Sequence, residues 1–221
     1  MQALLNASLV LRARQARVIP VLTITDVAHA VPLARALVAG GLTLLEITLR
    51  TPVALEVIQR IVGEVPQAEV GAGTVLNAKL ATTAMTAGAQ FLVSPGATQR
   101  LLDSADGWSV PLLPGVATAS EAMALMDRGL RFMKFFPAEN VGGIPALKAL
   151  SAPLADALFC PTGGVGPNNF GAYLACSNVV CVGGSWVAPQ ALVDAGRWAE
   201  ITALATAAHH SAAHQSAKGT P

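Results

Sequence analysis

The chain has 221 residues, 53% of them hydrophobic and only 12% charged, against roughly 45 to 50% and 25% in ordinary globular chains, which excludes a disordered chain and implies a large buried core. Fourteen basic and thirteen acidic residues leave a net charge of +1, so there is no bulk attraction for nucleic acid or an anionic membrane surface, and any anion site is local. At roughly 100 to 200 residues per domain, with barrels reaching ~250 as one unit, a single domain is expected.

A helix is expected over residues 2–14, followed by a β-rich run at 18–24 and by Asp26, a plausible N-cap for a helix that ends near Gly40 and Gly41. The same unit then recurs. Apolar runs stand at 44–49, 69–72, 90–93, 111–113, 131–136, 157–160 and 178–182, with helical stretches between them such as 52–62, 78–87, 120–127 and 189–208. Eight strand candidates alternating with helices, with no linker rich in Pro, Ser or charge, predict a (β/α)8 TIM barrel with an extra N-terminal helix, one domain over residues 1–208. The runs are nearly continuously apolar, as parallel strands covered by helices should be. An open doubly wound sheet is the alternative. Its dinucleotide fingerprint would need a third glycine three residues after Gly73, where Leu76 stands. Residues 209–221 are small and polar and read as a frayed tail.

The uncharged run 157–193 is interrupted by Pro161, Gly163, Gly164, Gly166 and Pro167, so it is not a membrane span. The first twenty residues lack a charged segment leading into an apolar one with a cleavage site, and the chain reads as cytoplasmic. Cys160, Cys176 and Cys181 fit neither a disulfide framework nor a metal site and read as core residues.

Two strands carry charges where a barrel should have none. In LLEITLR, Glu46, Thr48 and Arg50 share one face, with Arg50 ~13 Å nearer the C-terminal end. In RFMKFFPAE, Lys134 shares its face with Phe132 and Phe136. These are strands two and six, and alternate strands contribute to the same interior layers, so Glu46 and Lys134 are expected to meet inside. Two readings stand side by side. In one the pair is structural, or Lys134 snorkels at a strand edge. In the other, phenylalanines keep the amine out of water and favour its uncharged, nucleophilic form. The carboxylate of Glu46 opposes that unless the aromatic setting dominates or a water separates the two groups.

The loops after strands seven and eight are where a barrel places a phosphate site. CPTGGVGPNNF offers Gly163 and Gly164, and VCVGGSW offers Gly183, Gly184 and Ser185, each before a helix. Backbone N–H groups of glycines can approach an anion closely, and a helix dipole adds to the attraction. Tight βα turns are the plainer reading of either loop alone. His29 falls in the helix that follows Asp26 and His209, His210 and His214 in the tail, none at a strand end, so no metal site is expected. Trp108, Trp186 and Trp198 read as packing residues, Trp186 as a wall of its loop.

Taken together, GGLTLLEITLRTP (40–52), VGAGTVLN (70–77), SPGAT (94–98), LPGVATASE (113–121), MKFFPAE (133–139), CPTGGVGP (160–167) and VGGSW (182–186) resemble the 2-keto-3-deoxy-6-phosphogluconate aldolases, which also cleave 4-hydroxy-2-oxoglutarate. The resemblance covers almost the whole chain. It implies a cofactor-free class I aldolase, a carbon–carbon lyase of the Entner-Doudoroff route, in which Lys134 forms a Schiff base with the substrate ketone and Glu46 shuttles protons. It further implies that Arg50 and Thr74 bind the pyruvate carboxylate, that Pro95 and Phe136 wall the pocket, and that Thr162 senses the C4 configuration. Gly163, Gly164, Gly184 and Ser185 would hold the phosphate, and the assembly would be a homotrimer. Val165 and Gly166 replace a common Ile-Ser pair, a departure that bears on phosphate affinity. Two rivals remain: the same chemistry on the galactonate epimer, and a non-catalytic phosphosugar-binding barrel in which Lys134 and Glu46 only pair.

Overall fold

The computed structural model describes residues 1–218, and side chains through Ala212. Helix α1 (Gln2–Ala16) precedes β1 (Val18–Leu22), and α2 (Ala30–Ala39), β2 (Leu44–Thr48), α3 (Ala54–Glu64), β3 (Glu69–Gly73), α4 (Ala78–Thr86), β4 (Phe91–Val93) and α5 (Gln99–Ala105) follow in alternation. Next come β5 (Leu112–Leu113), β6 (Gly115–Val116), α6 (Ala119–Asp127), β7 (Phe132–Phe135), α7 (Gly143–Ser151), β8 (Leu158–Pro161) and α8 (Phe170–Leu174). β9 (Val182–Gly184), α9 (Gln190–Asp194) and α10 (Trp198–Lys218) complete the order. All strand pairs are parallel. One sheet runs β5-β4-β3-β2-β1-β9 and the other β6-β7-β8. Nine segments replace the eight expected runs because Pro114, which has no N–H to donate, separates β5 from β6.

The period of two sorts every strand into an outward and an inward set. Outward residues such as Leu45, Ile47, Val70, Ala72 and Leu92 join the helices in the main core. Inward residues, among them Ile19, Leu44, Phe91, Leu113, Phe132 and Cys160, form a second cluster to which both sheets contribute. Helix α1 lies against one end of that cluster through Leu9, Ala13 and Ala16. In the same turn spacing it buries Gln2 and Asn6, whose amides bond the strands. Asn6 Nδ2 donates to the carbonyls of Phe132 (2.9 Å) and Leu112 (3.1 Å), and its Oδ1 accepts from Phe132 N–H at 3.0 Å.

Local chemistry sets the boundaries. Asp26 caps as expected, accepting from Ala28 N–H at 2.8 Å, but of a short 3-10 turn that runs on into α2. The run expected at 178–182 becomes a strand only from Val182, where it pairs with β1, while Val179 makes a single bridge to Phe159. The helix expected over 189–208 breaks at Gly196 (φ 63°), dividing α9 from α10. The tail is corrected too. α10 continues to Lys218, with Ala208 and Ala212 buried and the His209 ring packed on Gly41. The alanine-rich face lets α10 approach α2 so closely that a Cβ on Gly40 would stand 2.4 Å from that of Ala205. Residues 219–221 of the expected tail lie outside the described residues. No described helix is long and apolar enough to cross a membrane.

Candidate active site

At the C-terminal ends of the strands opens a cavity of about 450 Å³. Lys134 and Glu46 stand at its floor, both nearly inaccessible, with Nζ 3.1 Å from Oε1 and 3.5 Å from Oε2 of the carboxylate. They come from β7 and β2, which are not neighbours in either sheet, so the pair spans the interior. Direct contact decides the question of a separating water. The amine also lies 5.4 Å from the centroid of the Phe136 ring, a favourable cation–π distance whenever it is charged.

Glycines make room for that crossing. A Cβ on Gly73 would fall 2.2 Å from Glu46 Oε1, and one on Gly183 would fall 2.4 Å from Thr162 Oγ1. Gly71 likewise yields its place to the Phe91 ring. The Gly71-Ala72-Gly73 stretch, weak as a dinucleotide signal, is instead the space in which Glu46 lies. Thr48, on the same face as Glu46, is spent on structure: its hydroxyl donates to Leu22 O at 3.0 Å and pairs with Thr23 at 2.8 Å.

Arg50 lines the cavity at its exposed rim, with Phe136 and the buried Thr162 along the wall. Gly163 and Gly164 from the loop after β8, and Gly184 and Ser185 at and after the end of β9, line the same cavity. Gly163 and Gly164 have φ values of 97° and 78°, which only glycine adopts without strain. The helices that follow, α8 and α9, have five residues each, too few for a substantial dipole, so the loop backbones themselves carry any anion binding. Trp186 stands behind Gly184 and against Phe170, 5.5 Å between ring centroids, rather than in the wall.

The structure does not bring Thr74 or Pro95 into the cavity wall. Thr74 directly follows β3 in a left-handed conformation (φ 62°), an uncommon backbone for a β-branched residue. The Pro95 carbonyl packs on Gly115, which is in register with Lys134. Sequence reasoning missed the part of the cavity formed by Thr23, Ile24, Leu33 and the segment from Ala188 to Val193. These are ordinary apolar or small polar residues and carry no motif. Among the described residues no three His, Cys, Asp or Glu side chains gather in a metal-binding group.

The family model for "KDPG and KHG aldolase" matches residues 10–204. The chain belongs to this family. Among the relatives of KDPG and KHG aldolases, a 2-dehydro-3-deoxy-phosphogluconate aldolase from Pseudoalteromonas atlantica is 52% identical over 199 residues, covering 90% of this chain and 93% of its own. A KDPG aldolase from Legionella pneumophila, solved with pyruvate captured as a covalent carbinolamine intermediate, superposes with a TM-score of 0.87 at 44% identity, covering 88% of this chain and 95% of its own. The Zymomonas mobilis 2-keto-3-deoxy-6-phosphogluconate aldolase, solved with 3-phosphoglycerate, gives a TM-score of 0.84 at 52% identity over 92% of this chain and 94% of its own.

Proposed function

We propose that this chain is a Schiff-base aldolase that cleaves 2-keto-3-deoxy-6-phosphogluconate to pyruvate and glyceraldehyde 3-phosphate. It acts likewise on 4-hydroxy-2-oxoglutarate, giving pyruvate and glyoxylate. The observation that carries the reading is the buried Lys134–Glu46 contact of 3.1 Å on the floor of a cavity that two glycine loops also line.

A primary amine adds to the C2 ketone of the substrate only when uncharged, and Glu46 is within reach to take its proton. Protonating the carbinolamine hydroxyl from Glu46 releases water and leaves an iminium on Lys134. That cation withdraws the electron pair of the C3–C4 bond once the C4 hydroxyl gives up its proton to Glu46, directly or through a water, and the aldehyde departs. Protonation of the enamine at C3 and hydrolysis free pyruvate and restore the amine. Phe136 keeps one side of Lys134 dry, and a water-poor setting strengthens each charge interaction in these steps.

The remaining roles follow the layout. Arg50, which lines the cavity, offers a planar fork to the keto-acid carboxylate, and Thr162, in the same lining, offers a hydroxyl to the C4 hydroxyl. Gly163, Gly164, Gly184 and Ser185 bind the phosphate. The two sheets close into one eight-stranded barrel, a single domain that includes α10; the one-residue step at Pro114 and the lone bridges Thr162–Gly183 and Phe159–Val179 support closure. Three free cysteines suit a reducing cytoplasm, and sparse charge suits burial of surface in a homotrimer.

Borohydride added with pyruvate is the test. A covalent mass increase confined to Lys134 is expected, and its absence would refute imine chemistry. Side-by-side rates on the gluconate and galactonate epimers check the assignment of the sugar.

A further inference from the structure

We infer that Tyr173, through Glu139, and Asn169 are positioning residues that set the shape of the 163–166 loop and thereby its affinity for a phosphate monoester. The inference rests on the reading of that loop as the phosphate site.

The loop is tied from two sides. Asn169 spans it from the chain's own continuation: its Oδ1 accepts from Gly166 N–H at 2.8 Å and its Nδ2 donates to Gly164 O at 3.1 Å. From the other side, Ala138 N–H donates to Thr162 O at 2.8 Å and Glu139 N–H to Gly163 O at 3.1 Å. The Glu139 stem then lies against Gly164 so tightly that a Cβ there would stand 2.4 Å from Cγ. Glu139 is mostly exposed, and a free side chain of that kind would not hold a loop. Tyr173, wholly buried on α8, donates its hydroxyl to Glu139 Oε1 and so anchors the side chain to the core.

The arrangement also answers an electrostatic problem. A carboxylate beside an anion site repels its ligand. With one oxygen of Glu139 held by the Tyr173 hydroxyl, the carboxylate is tied down outside the cavity lining, which includes Gly163 and Gly164 but not Glu139. If Tyr173 loses its hydroxyl, Glu139 is free to swing and the glycines at φ 97° and 78° are free to relax.

Substituting Tyr173→Phe removes the donor and keeps the ring in the core. KM for 2-keto-3-deoxy-6-phosphogluconate is expected to rise about tenfold, the size of one hydrogen bond to a charged group. KM for 4-hydroxy-2-oxoglutarate, which has no phosphate, is expected to stay within about twofold, as is kcat on both. Asn169→Ala is expected to act in the same direction and guards against a folding failure in the first variant. A parallel titration with inorganic phosphate, followed by calorimetry, is expected to show weaker binding in both variants. Equal KM shifts on the two substrates, no shift on either, or unchanged phosphate binding would each overturn the positioning role. If borohydride fails to trap pyruvate on the unaltered chain while the phosphate titrations behave as expected, the aldol chemistry falls and the positioning role stands.

Discussion

The two ends of the strands bury polar side chains under opposite rules. At the N-terminal end, Gln2 and Asn6 of α1 bond main-chain groups of β5, β7 and the segment before β5. Gln2 Nε2 donates to Val110 O at 2.9 Å and its Oε1 accepts from Leu112 N–H at 3.1 Å, while Asn6 bonds both Leu112 and Phe132. At the C-terminal end, Glu46 and Lys134 have each other and an open cavity. A buried polar group whose valences are filled by backbone contributes stability and resists change. One left with spare valences beside a cavity is available to a substrate, and its energetic cost is the mark of function.

Breaking the site end should abolish chemistry with little effect on folding. Lys134→Met is expected to lower kcat/KM by about 10⁴-fold or more, since among the described residues no other lysine lines the cavity, with an unchanged far-ultraviolet spectrum. Breaking the other end should do the reverse. Asn6→Ala leaves the Phe132 N–H and two carbonyls without partners, a loss of about 3 kcal/mol in urea unfolding with kcat per folded molecule unchanged. A fall in kcat for Asn6→Ala, or general destabilisation with residual activity for Lys134→Met, would dissolve the division between the ends.

Gly73→Ala sharpens the comparison, because it adds one carbon where the Glu46 carboxylate lies. A carboxylate displaced by about 1 Å costs roughly 10²-fold in kcat, and the borohydride adduct should form more slowly without vanishing.

How much of this was legible beforehand differs between the ends as well. Glu46, Arg50 and Lys134 announced themselves as charges in apolar strands, because burial makes a charge conspicuous. The glycine loops were readable only as a pair, since a Gly-Gly turn at one strand end is ordinary while two, after the last two strands, point to an anion site. The Gln2 and Asn6 contacts were not legible: polar residues near the start of a helix look solvated until the strands they cap are in place. Pro114 splitting a strand and Gly196 splitting the last helix were misjudged because apolar periodicity runs across both. The continuation of α10 past Ala208 was hidden because it buries only small or polar side chains, Ala212 and the His209 ring set on Gly41, which give no local hydrophobic signal. Thr74 and Pro95 entered through resemblance alone, and their backbones, not their side chains, are what the geometry explains.

A smaller effect belongs to Arg50 at the rim. Arg50→Lys keeps the charge and removes the fork, so KM for both keto acids is expected to rise about tenfold with kcat nearly unchanged. Because the carboxylate is common to both substrates, this pattern contrasts with the phosphate-selective one expected of Tyr173→Phe.

The smallest effect is a pH dependence that reads the Tyr173–Glu139 contact directly. Burial, and then the hydrogen bond to Glu139, push the Tyr173 phenol above its ordinary range near 10. A phenol that holds its proton longer folded than unfolded adds stability that is complete below the unfolded value and is lost as pH rises toward the folded one. At about pH 10.5 the loss amounts to about 0.8 kcal/mol. Tyr173 is the chain's one tyrosine, so tyrosinate absorbance near 295 nm isolates it. The native protein should stay flat through the range in which the urea-unfolded chain titrates, and the stability of Tyr173→Phe should lack this component of the alkaline decline. Should native and unfolded chains ionise together, the hydroxyl is reaching solvent rather than Glu139, and the tie between core and loop is absent.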